Sequence, residues 1–218
     1  MNEGWADGYC PHVELAKAAI RVYTERGETV KVTADGALVA AGGVVAEFGA
    51  RGAPDFSPLL AERAGAFVSI KKMGALRGCI GTITPVRDNL AGEIADNAIS
   101  ACSRDPRFDP VKPYELDDLT VSVDVLSAPE PVDSAGQLDA ARYGVIVTKG
   151  FRRGLLLPNL EGVDTVEAQI NIALSKAGIG PSERYTVERF EVVRYELGGA
   201  MRGDVRDKRG EKRDARRL

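Results

Sequence analysis

Two predicted β-hairpins with glycine-containing turns limit the folds open to this chain. The first joins AFVSIKK to LRGCIGTI through the three residues Met73–Ala75, and the second spans residues 143–159. The segment LTVSVDVLS, residues 119–127, alternates apolar and polar side chains, as a strand with one buried face does. Hairpins separated by helices, without regular βαβ alternation, predict an α+β fold with mostly antiparallel sheets.

Four helical patterns flank these strands, and capping signals mark their ends. Ser57, Thr84 and Asp164 are predicted to begin three of the helices. Gly27 and Gly178 can supply the left-handed residue that ends a helix. Because no flexible linker interrupts the chain, we expect two interlocked layered subdomains with flanking helices. The predicted elements include helices at residues 10–27, 57–65, 84–105 and 164–178, a loop at 35–56 and a closing strand at 184–197.

Composition is that of a globular protein, since 44% of the 218 residues are hydrophobic and 28% are charged. No apolar run approaches the roughly 18 residues that a membrane-spanning helix needs. The first residues lack the basic start and apolar core of a signal peptide. The three cysteines, Cys10, Cys79 and Cys102, have no CxxC spacing. These features predict a cytoplasmic protein with reduced thiols and no disulfide framework.

Charge is unevenly distributed along the chain, whose formal net charge is −3. The last 18 residues, MRGDVRDKRGEKRDARRL, carry +4, so the rest of the chain carries −7. We predict a folded domain over residues 10–198 and a basic, disordered tail over residues 199–218, because the tail has almost nothing to bury. The acidic body argues against a nucleic-acid-binding core. The tail could contact nucleic acid or an acidic partner, or it could stay solvated.

The stretch LRGCIG, residues 76–81, is the strongest candidate for a functional site. Strand alternation predicts that Arg77 and Cys79 share one face, about 7 Å apart along the strand. A guanidinium at that range would favour the thiolate form of the cysteine. Gly78 and Gly81 would let a ligand or a second backbone approach closely. On this interpretation Cys79 is a nucleophile or redox thiol, and Arg77 is its electrostatic partner or an anion clamp.

The same residues also fit a purely structural role. Cysteine is among the most frequently buried residue types, and glycines in strands often mark bulges or tight packing. Arg77 could then pair with a structural carboxylate, for which Asp124 on the polar face of its strand is a candidate. A nucleophilic cysteine normally has a base beside it, and the only histidine, His12, is far from Cys79 in sequence.

The segment DPRFDP, residues 105–110, supplies a second group of candidates. Asp105 and Asp109, which flank Arg107, could bind a polar substrate with it or take part in proton transfer. Alternatively, Asp-Pro segments set turns, with the arginine stapling a loop across a sheet. In FRRGLLLPN, Arg152 and Arg153 fall at the second hairpin turn, where they are either solvated or dock a partner. No spacing of His, Cys, Asp and Glu predicts a metal site, and no motif names a cofactor.

Five segments follow one another along the chain in an order typical of a known family. They are FVSIKKMGALRGCIGTI, DPRFDPV, LTVSVDVLSAPEPV, YGVIVTKGFRRGLLLPNLEGVDTVEAQINIALSKAGI and FEVVRYEL. In these segments the chain resembles the AMMECR-type domain family over residues 10–198, and LRGCIG is a highly specific part of the resemblance. The chain departs from the family pattern at Val163, where tryptophan is common, and at Ala173, near a frequent cysteine.

The resemblance implies a two-subdomain α+β fold with the signature near the junction. It also implies, as partners, a Memo-like protein and a radical SAM protein, with which family members form the AmmeMemoRadiSam system. No reaction or small-molecule ligand is assigned to the family as a whole. The first hypothesis is a cytosolic enzyme or catalytic accessory that uses Cys79 with Arg77 in a cleft. The alternative is a non-catalytic protein- or ligand-binding module in which the LRGCIG strand is structural. The further binding candidates are Gly78, Gly81, Asp105, Arg107 and Asp124.

Overall fold

The structure is a computed structural model that describes residues 9–41, 43–45, 55–197 and 199–202. Its helices and antiparallel sheets confirm the predicted α+β class. The chain forms two compact units, of which the first runs to Leu126 and includes Val193–Met201, and the second contains Ser127–Val192. The helices are α1 (Pro11–Arg26), α2 (Leu90–Ser103) and α3 (Val166–Ala177), with 3₁₀ helices at Ser57–Leu60, Pro113–Asp118 and Ala135–Gln137. The strands are β1 (Lys31–Val32), β2 (Leu38–Ala40), β3 (Gly43–Val44), β4 (Ala66–Lys72), β5 (Ala75–Gly81), β6 (Leu119–Leu126), β7 (Glu130–Pro131), β8 (Gly144–Lys149), β9 (Arg152–Leu156), β10 (Thr186–Phe190), β11 (Val192–Glu196) and β12 (Gly199–Arg202).

The first unit is built on a five-stranded sheet with the order β12-β11-β6-β4-β5. β4 lies between β5 and β6 and pairs antiparallel with both. Its side chains alternate, so Val68 and Ile70 are fully buried while Ser69 between them is half-buried. α2 packs on β4 and β5 and contributes buried side chains such as Ile94 and Ala98 to the same core. Ser69 and Lys71 therefore lie on the face of the sheet opposite α2.

α1 forms where the sequence predicts it. Pro11 occupies its first turn, where the missing N–H has no intrahelical partner to lose. Gly27 ends the helix at φ 71°, in the left-handed conformation that glycine adopts without strain. Leu15 and Ala19, which share a face in the predicted pattern, are both fully buried. The predicted helix and its glycine stop are confirmed.

α2 begins five residues later than the sequence predicts. The predicted cap at Thr84 is wrong, because Asn89 caps the helix and its side chain accepts the N–H of Gly92 at 2.9 Å. The buried carboxylate of Glu93 explains the delay. It accepts the backbone N–H groups of Val86 and Arg87, each at 2.8 Å, and so holds the preceding residues as a loop.

Four smaller predictions also differ from the structure. β2 and β3 lie within residues 35–56, which the weak periodicity assigned to a loop. Ser57 is the first residue of a 3₁₀ helix and does not cap it. Thr165, not Asp164, caps α3, because its hydroxyl accepts a backbone N–H three residues on. The closing strand divides at Glu191, because β10 pairs with β8 whereas β11 lies next to β6.

The second unit has a four-stranded sheet with the order β7-β10-β8-β9, and α3 packs on β8 and β9. Gly154 of β9 makes this packing close, since a Cβ there would lie 2.1 Å from the carbonyl oxygen of Ala173. Val145, Val147 and Leu174 are part of the buried core of this unit. Both hairpins predicted from the sequence, β4–β5 and β8–β9, are thus present.

The predicted basic tail is described only at its start. Residues 199–202, predicted to belong to the tail, form the edge strand β12. Residues 203–218 lie outside the described residues, so the predicted disorder of the tail stays a prediction. Within the described ranges, no helix is both long enough and apolar enough to cross a membrane.

Candidate functional site

A β-bulge interrupts the signature strand. The register between β4 and β5 slips between Ile70 and Lys71, so that Leu76 and Arg77 together oppose one residue of β4. Such a bulge leaves the extra residue unpaired and redirects its side chain. The regular ladder resumes before Cys79. The bulge therefore decides where the two candidate side chains of the signature point.

The guanidinium of Arg77 binds Glu115 at two points. Its Nε and Nη2 atoms lie 3.2 and 3.0 Å from the two carboxylate oxygens, and Lys72 Nζ lies 3.2 Å from one of them. Hydrogen bonds from Arg77 lower the pKa of the buried Glu115 to about 2. Lys72 projects from the face of β4 opposite Ser69, the residue paired with Cys79. The expectation that Arg77 and Cys79 share a face is therefore wrong.

The main chain of Cys79 is held at the open edge of β5 by two side chains. Asp105 Oδ2 accepts the Cys79 N–H at 2.8 Å, and Arg107 Nη2 donates to the Cys79 carbonyl at 3.1 Å. These are the two hydrogen bonds that a neighbouring antiparallel strand would supply. We call Asp105 and Arg107 the edge clip, because they occupy the backbone groups that an unpaired edge strand exposes.

Within the edge clip the two side chains also bind each other. Arg107 Nε lies 2.9 Å from Asp105 Oδ1, and Arg107 Nη2 lies 2.7 Å from Oδ2. Asp105 is 4% exposed, whereas the Arg107 side chain is 55% exposed. The hydrogen bonds from Arg107 hold the pKa of Asp105 well below its usual range. A carboxylate held ionised by so many donors is poorly suited to proton transfer.

The Cys79 thiol lies on the sheet face opposite α2. Ser69 Oγ is 3.3 Å from Cys79 Sγ, and Ser69 pairs in register with Ser122 of β6 on its other side. We call Cys79, Ser69 and Ser122 the polar row. A groove of about 270 Å³ adjoins the row, and its lining residues are Lys71, Thr120, Val121, Ser122, Glu196 and Leu197.

Asp124 pairs with Arg194 of β11. Arg194 Nε and Nη2 lie 2.7 and 2.8 Å from its two carboxylate oxygens, and Asp124 is 1% exposed. The hydrogen bonds to Asp124 raise the pKa of Arg194, and the nearby Cys79 raises it by a smaller amount. The sequence suggested Asp124 as a partner for Arg77. That pairing is wrong, because the neighbours of β6 in the sheet are β4 and β11, not β5.

Close packing explains both glycines of the signature. A Cβ at Gly78 would lie 2.2 Å from the carbonyl oxygen of Ala101 in α2. A Cβ at Gly81 would lie 2.2 Å from Cγ of the Phe67 ring. The space that the glycines leave is thus filled by the backbone of α2 and by Phe67. The sequence suggested that a ligand or a second backbone approaches these glycines. At Gly78 it is a second backbone, that of α2.

The only histidine lies in a buried cluster with Cys10. His12 stacks on Tyr195 with ring centroids 3.6 Å apart, and its Nδ1 is 4.0 Å from Cys10 Sγ. Burial lowers the pKa of His12 to about 4 and raises the pKa of the Cys10 thiol. A neutral imidazole beside a neutral thiol is not an activated pair. The structure therefore does not form the Cys79–His12 dyad considered from the sequence.

Folding stability should rise with pH between 4 and 6.5 because of His12. Its folded pKa lies below its unfolded value of 6.5, so the unfolded chain binds a proton that the folded chain does not. The full difference is about 3 kcal/mol, from 1.36 kcal/mol per pKa unit. Urea unfolding across this range should show the slope in the wild type. His12→Phe keeps a ring against Tyr195 and should flatten it, whereas an equal slope in both proteins would contradict the assignment.

Of the three cysteines, only Cys79 should react with an alkylating reagent in the folded protein. Cys10 and Cys102 are 1% and 3% exposed, and burial raises the pKa of Cys102 to about 11. Cys79 is half-buried. Mass spectrometry of peptides after brief labelling should place the adduct on Cys79, and all three should react in denaturant. Modification of Cys10 or Cys102 at the same rate would show that the core opens locally.

Three residues of this region carry little signal in the sequence. Alternation in AFVSIKK puts Ser69 on the polar face, so its position beside a cysteine follows only once the hairpin register is known. Glu115 and Arg194 bind partners 38 and 70 positions away in the chain. No local pattern marks contacts of that range, which arise from tertiary packing.

The arginines at the second hairpin turn form ion pairs within their own unit. Arg152 Nη2 lies 2.9 Å from Glu183 Oε2, and Arg153 Nη2 lies 3.2 Å from Glu188 Oε2. Arg153 is exposed, as the solvated interpretation expects, and Arg152 is half-buried, while docking of a partner stays a prediction. Phe151 at the same turn is fully exposed.

These features define a class of protein: a two-unit α+β chain whose signature is an edge strand held by a bulge, an ion pair and a side-chain clip. The chain belongs to the AMMECR1 family, since the sequence model of that family matches residues 13–197. The resemblance inferred from the quoted segments is therefore confirmed.

Relatives and a solved structure agree with this assignment. A protein of Thermotoga maritima is 59% identical over 140 residues, which are 61% of this chain and 80% of the relative. A protein of Clostridium acetobutylicum is 47% identical over 187 residues, which are 85% of this chain but 36% of that relative. The crystal structure of an uncharacterized protein from Pyrococcus horikoshii is 31% identical, with a TM-score of 0.68 over 88% of this chain and 94% of the other.

Proposed function

We propose that this chain is a non-catalytic binding module in which the LRGCIG strand is structural. The observation that carries the proposal is that the signature residues have structural contacts that account for their chemistry. Arg77 neutralises a buried carboxylate, Gly78 admits the backbone of α2, and Gly81 admits an aromatic ring. The main chain of Cys79 is held by the edge clip. A specific sequence is thus required to build this strand, without any reaction.

The surroundings of Cys79 support the same conclusion. A nucleophilic cysteine is usually activated by an adjacent base or a nearby cation. The histidine is buried with Cys10. Each arginine of this region is bound to a carboxylate: Arg77 to Glu115, Arg107 to Asp105 and Arg194 to Asp124. Across the described ranges, no group of three or more His, Cys, Asp or Glu side chains is arranged to hold a metal ion.

The surface that such a module would present is the polar row with its adjoining groove. The groove combines the ammonium group of Lys71, the carboxylate of Glu196 and the exposed apolar side chain of Leu197. Mixed polar and apolar surface of this kind is typical of non-obligate protein interfaces. A small ligand held by hydrogen bonds to the polar row is the corresponding alternative.

The Memo-like and radical SAM proteins implied by the family are the partners we propose. A cytoplasmic setting is part of this proposal and is supported by the three free cysteines, since such thiols persist in reducing compartments. Isothermal titration of the purified chain with each partner tests binding directly. We expect one of them to bind with a measurable dissociation constant, and Lys71→Glu to weaken it. The absence of binding to both would remove this choice of partners.

A thiol-dependent accessory role is the second candidate, favoured by the partial exposure of Cys79 and its contact with Ser69. The two candidates differ in what Cys79→Ser does. The replacement keeps a small polar side chain beside Ser69, so a binding module should retain its affinity for the partner. A thiol-dependent step would instead be lost, while the fold and the binding remained intact.

A further inference from the structure

We propose that the turn end of the β4–β5 hairpin docks an acidic protein segment that carries large apolar side chains. The inference rests on the proposed function as a binding module and names the chemistry of the partner. Three apolar side chains are exposed at this end of the hairpin: Met73 at 92%, Tyr114 at 80% and Leu76 at 42%. We call these three residues the apolar tip.

Met73 stands on a strained backbone. Lys72 pairs with Ala75, so Met73 and Gly74 form a two-residue turn, in place of the predicted three-residue turn. Their φ values are 50° and 82°, and turns with two positive φ values favour asparagine or aspartate followed by glycine. A methionine side chain at positive φ is crowded by its own backbone. Because Met73 is almost completely exposed, no burial compensates, and folding alone does not explain the residue.

Met73 lies at the turn, Leu76 lies on one face of the hairpin, and Tyr114 lies near Lys72, which projects from the other face. Leu76 pairs with Lys71 across the two strands, and Lys72 Nζ lies 5.8 Å from the centre of the Tyr114 ring. Aromatic and methionine side chains are enriched at protein interfaces, and tyrosine is common among the residues that dominate binding energy. The flexible thioether of methionine also adapts its shape to a partner. The composition of the apolar tip is therefore that of an interface centre.

The rim of the apolar tip is basic. Lys71 and Lys112 are exposed, and neither forms an ion pair with another residue in the described part of the chain. Of the neighbouring carboxylates, Glu115 is buried and already bound by Arg77 and Lys72, whereas Glu196 lines the same groove as Lys71 without forming an ion pair with it. A partner segment with carboxylates beside its apolar side chains would meet unpaired ammonium groups at the rim. This complementarity selects an acidic segment over a basic or uncharged one.

The same chemistry could in principle meet an anionic membrane, but the number of unpaired lysines is too small for that. Two or three lysines near a lipid surface contribute only about 1 kcal/mol each. A second copy of the chain is disfavoured as well, because it would bring like-charged rims together.

Peptide selection tests the proposal without knowledge of the partner. A displayed library of random peptides is selected on the full chain and counter-selected on the triple variant Met73→Asn, Leu76→Thr, Tyr114→Gln, whose fold is checked by thermal unfolding. We expect enriched peptides with more Asp and Glu than Lys and Arg and with several large apolar residues. Of the three methionines in the chain, the Met73 methyl NMR signal should shift on binding, and those of Met1 and Met201 should not.

Charge variants distinguish the contribution of the rim lysines from the effect of the net charge of the whole chain. Lys71→Glu with Lys112→Glu should weaken the selected peptides by about tenfold or more, whereas the matched pair Lys31→Glu with Arg184→Glu should not. Enrichment of basic or uncharged peptides, or no peptides that depend on the apolar tip, would overturn the proposal. Binding to phosphatidylserine vesicles that the triple variant loses would assign the tip to a membrane instead. Titration with the Memo-like and radical SAM proteins is independent, so failure there is distinguishable from failure here.

Discussion

Gly78→Ala should lower the free energy of unfolding by at least about 3 kcal/mol, or prevent folding of the first unit. The added methyl group would lie 2.2 Å from the carbonyl oxygen of Ala101, a backbone atom that no side-chain rotation can move aside. α2 and β5 would have to separate, and the separation would loosen packing around Val68 and Ile70, which are fully buried. Urea or thermal unfolding measures the loss.

Gly136→Ala is the matched control for this substitution. Gly136 does not have a positive φ, and the nearest atom to a Cβ there is Ser134 Oγ at 3.9 Å. The control should change stability by less than about 0.5 kcal/mol, as surface substitutions usually do. If Gly78→Ala behaved like the control, the glycine would not serve helix–strand packing, and the structural explanation of the signature would fail at its centre.

Asp105→Ala should cost about 3 kcal/mol of stability, because it leaves the Cys79 N–H without its acceptor at the sheet edge. Arg107→Ala should cost less, about 1 kcal/mol, since its guanidinium is more than half exposed and solvent screens its ion pair. The loss of either residue uncovers backbone groups of an edge strand, so both variants should also aggregate more readily on heating. Chemical unfolding and light scattering measure the two effects.

The pH dependence of folding stability distinguishes the edge clip from a contact that involves no ionised group. The pKa of Asp105 is depressed in the folded state by hydrogen bonds from Arg107, so its contribution is present above the unfolded value of 3.8 and is lost as pH falls toward the folded pKa.

In the double variant the losses should not add, because the two side chains bind each other. Equal and additive losses for the two residues would show that they act separately.

Local patterns in the sequence predicted most of the elements but not the contacts between them. Alternation placed the strands of both hairpins, and Gly27 and Gly178 were both correct helix stops. Thr84 and Pro85 failed as a helix start because Glu93, later in the chain, captures the N–H groups of the preceding loop. A capping signal describes a local preference, and a buried carboxylate overrides it.

In the candidate site, too, the sequence predicted local features but not the contacts between elements. Alternation puts Cys79 and Gly78 on opposite faces of the strand, and in the structure Cys79 lies beside Ser69 while Gly78 packs against α2. Alternation failed two residues earlier, at Arg77. The bulge there changes the register, and no residue type in the sequence predicts a bulge. The partners of Arg77 and Asp124 depend on strand order, which a single sequence does not contain.

One glycine in each hairpin is required for the same physical reason, which is close packing of a helix on the strand. In each unit a helix packs on a strand at a glycine, Gly78 against Ala101 and Gly154 against Ala173, with a helix carbonyl oxygen in contact range of the missing Cβ. Both glycines belong to the segments that carry the family resemblance. Much of what makes these segments recognisable is therefore the requirement for close packing between helix and strand.

The role of Cys79 is tested most directly by comparing the wild-type chain with the Cys79→Ser variant, both in binding to the proposed Memo-like or radical SAM partner and in any reaction that depends on that partner. A structural signature strand predicts a dissociation constant within about threefold of the wild type, a change under 1 kcal/mol. The same variant should unfold at nearly the wild-type temperature. Loss of a partner-dependent reaction with the fold and the binding intact would contradict the non-catalytic interpretation and show that the thiol itself takes part in chemistry.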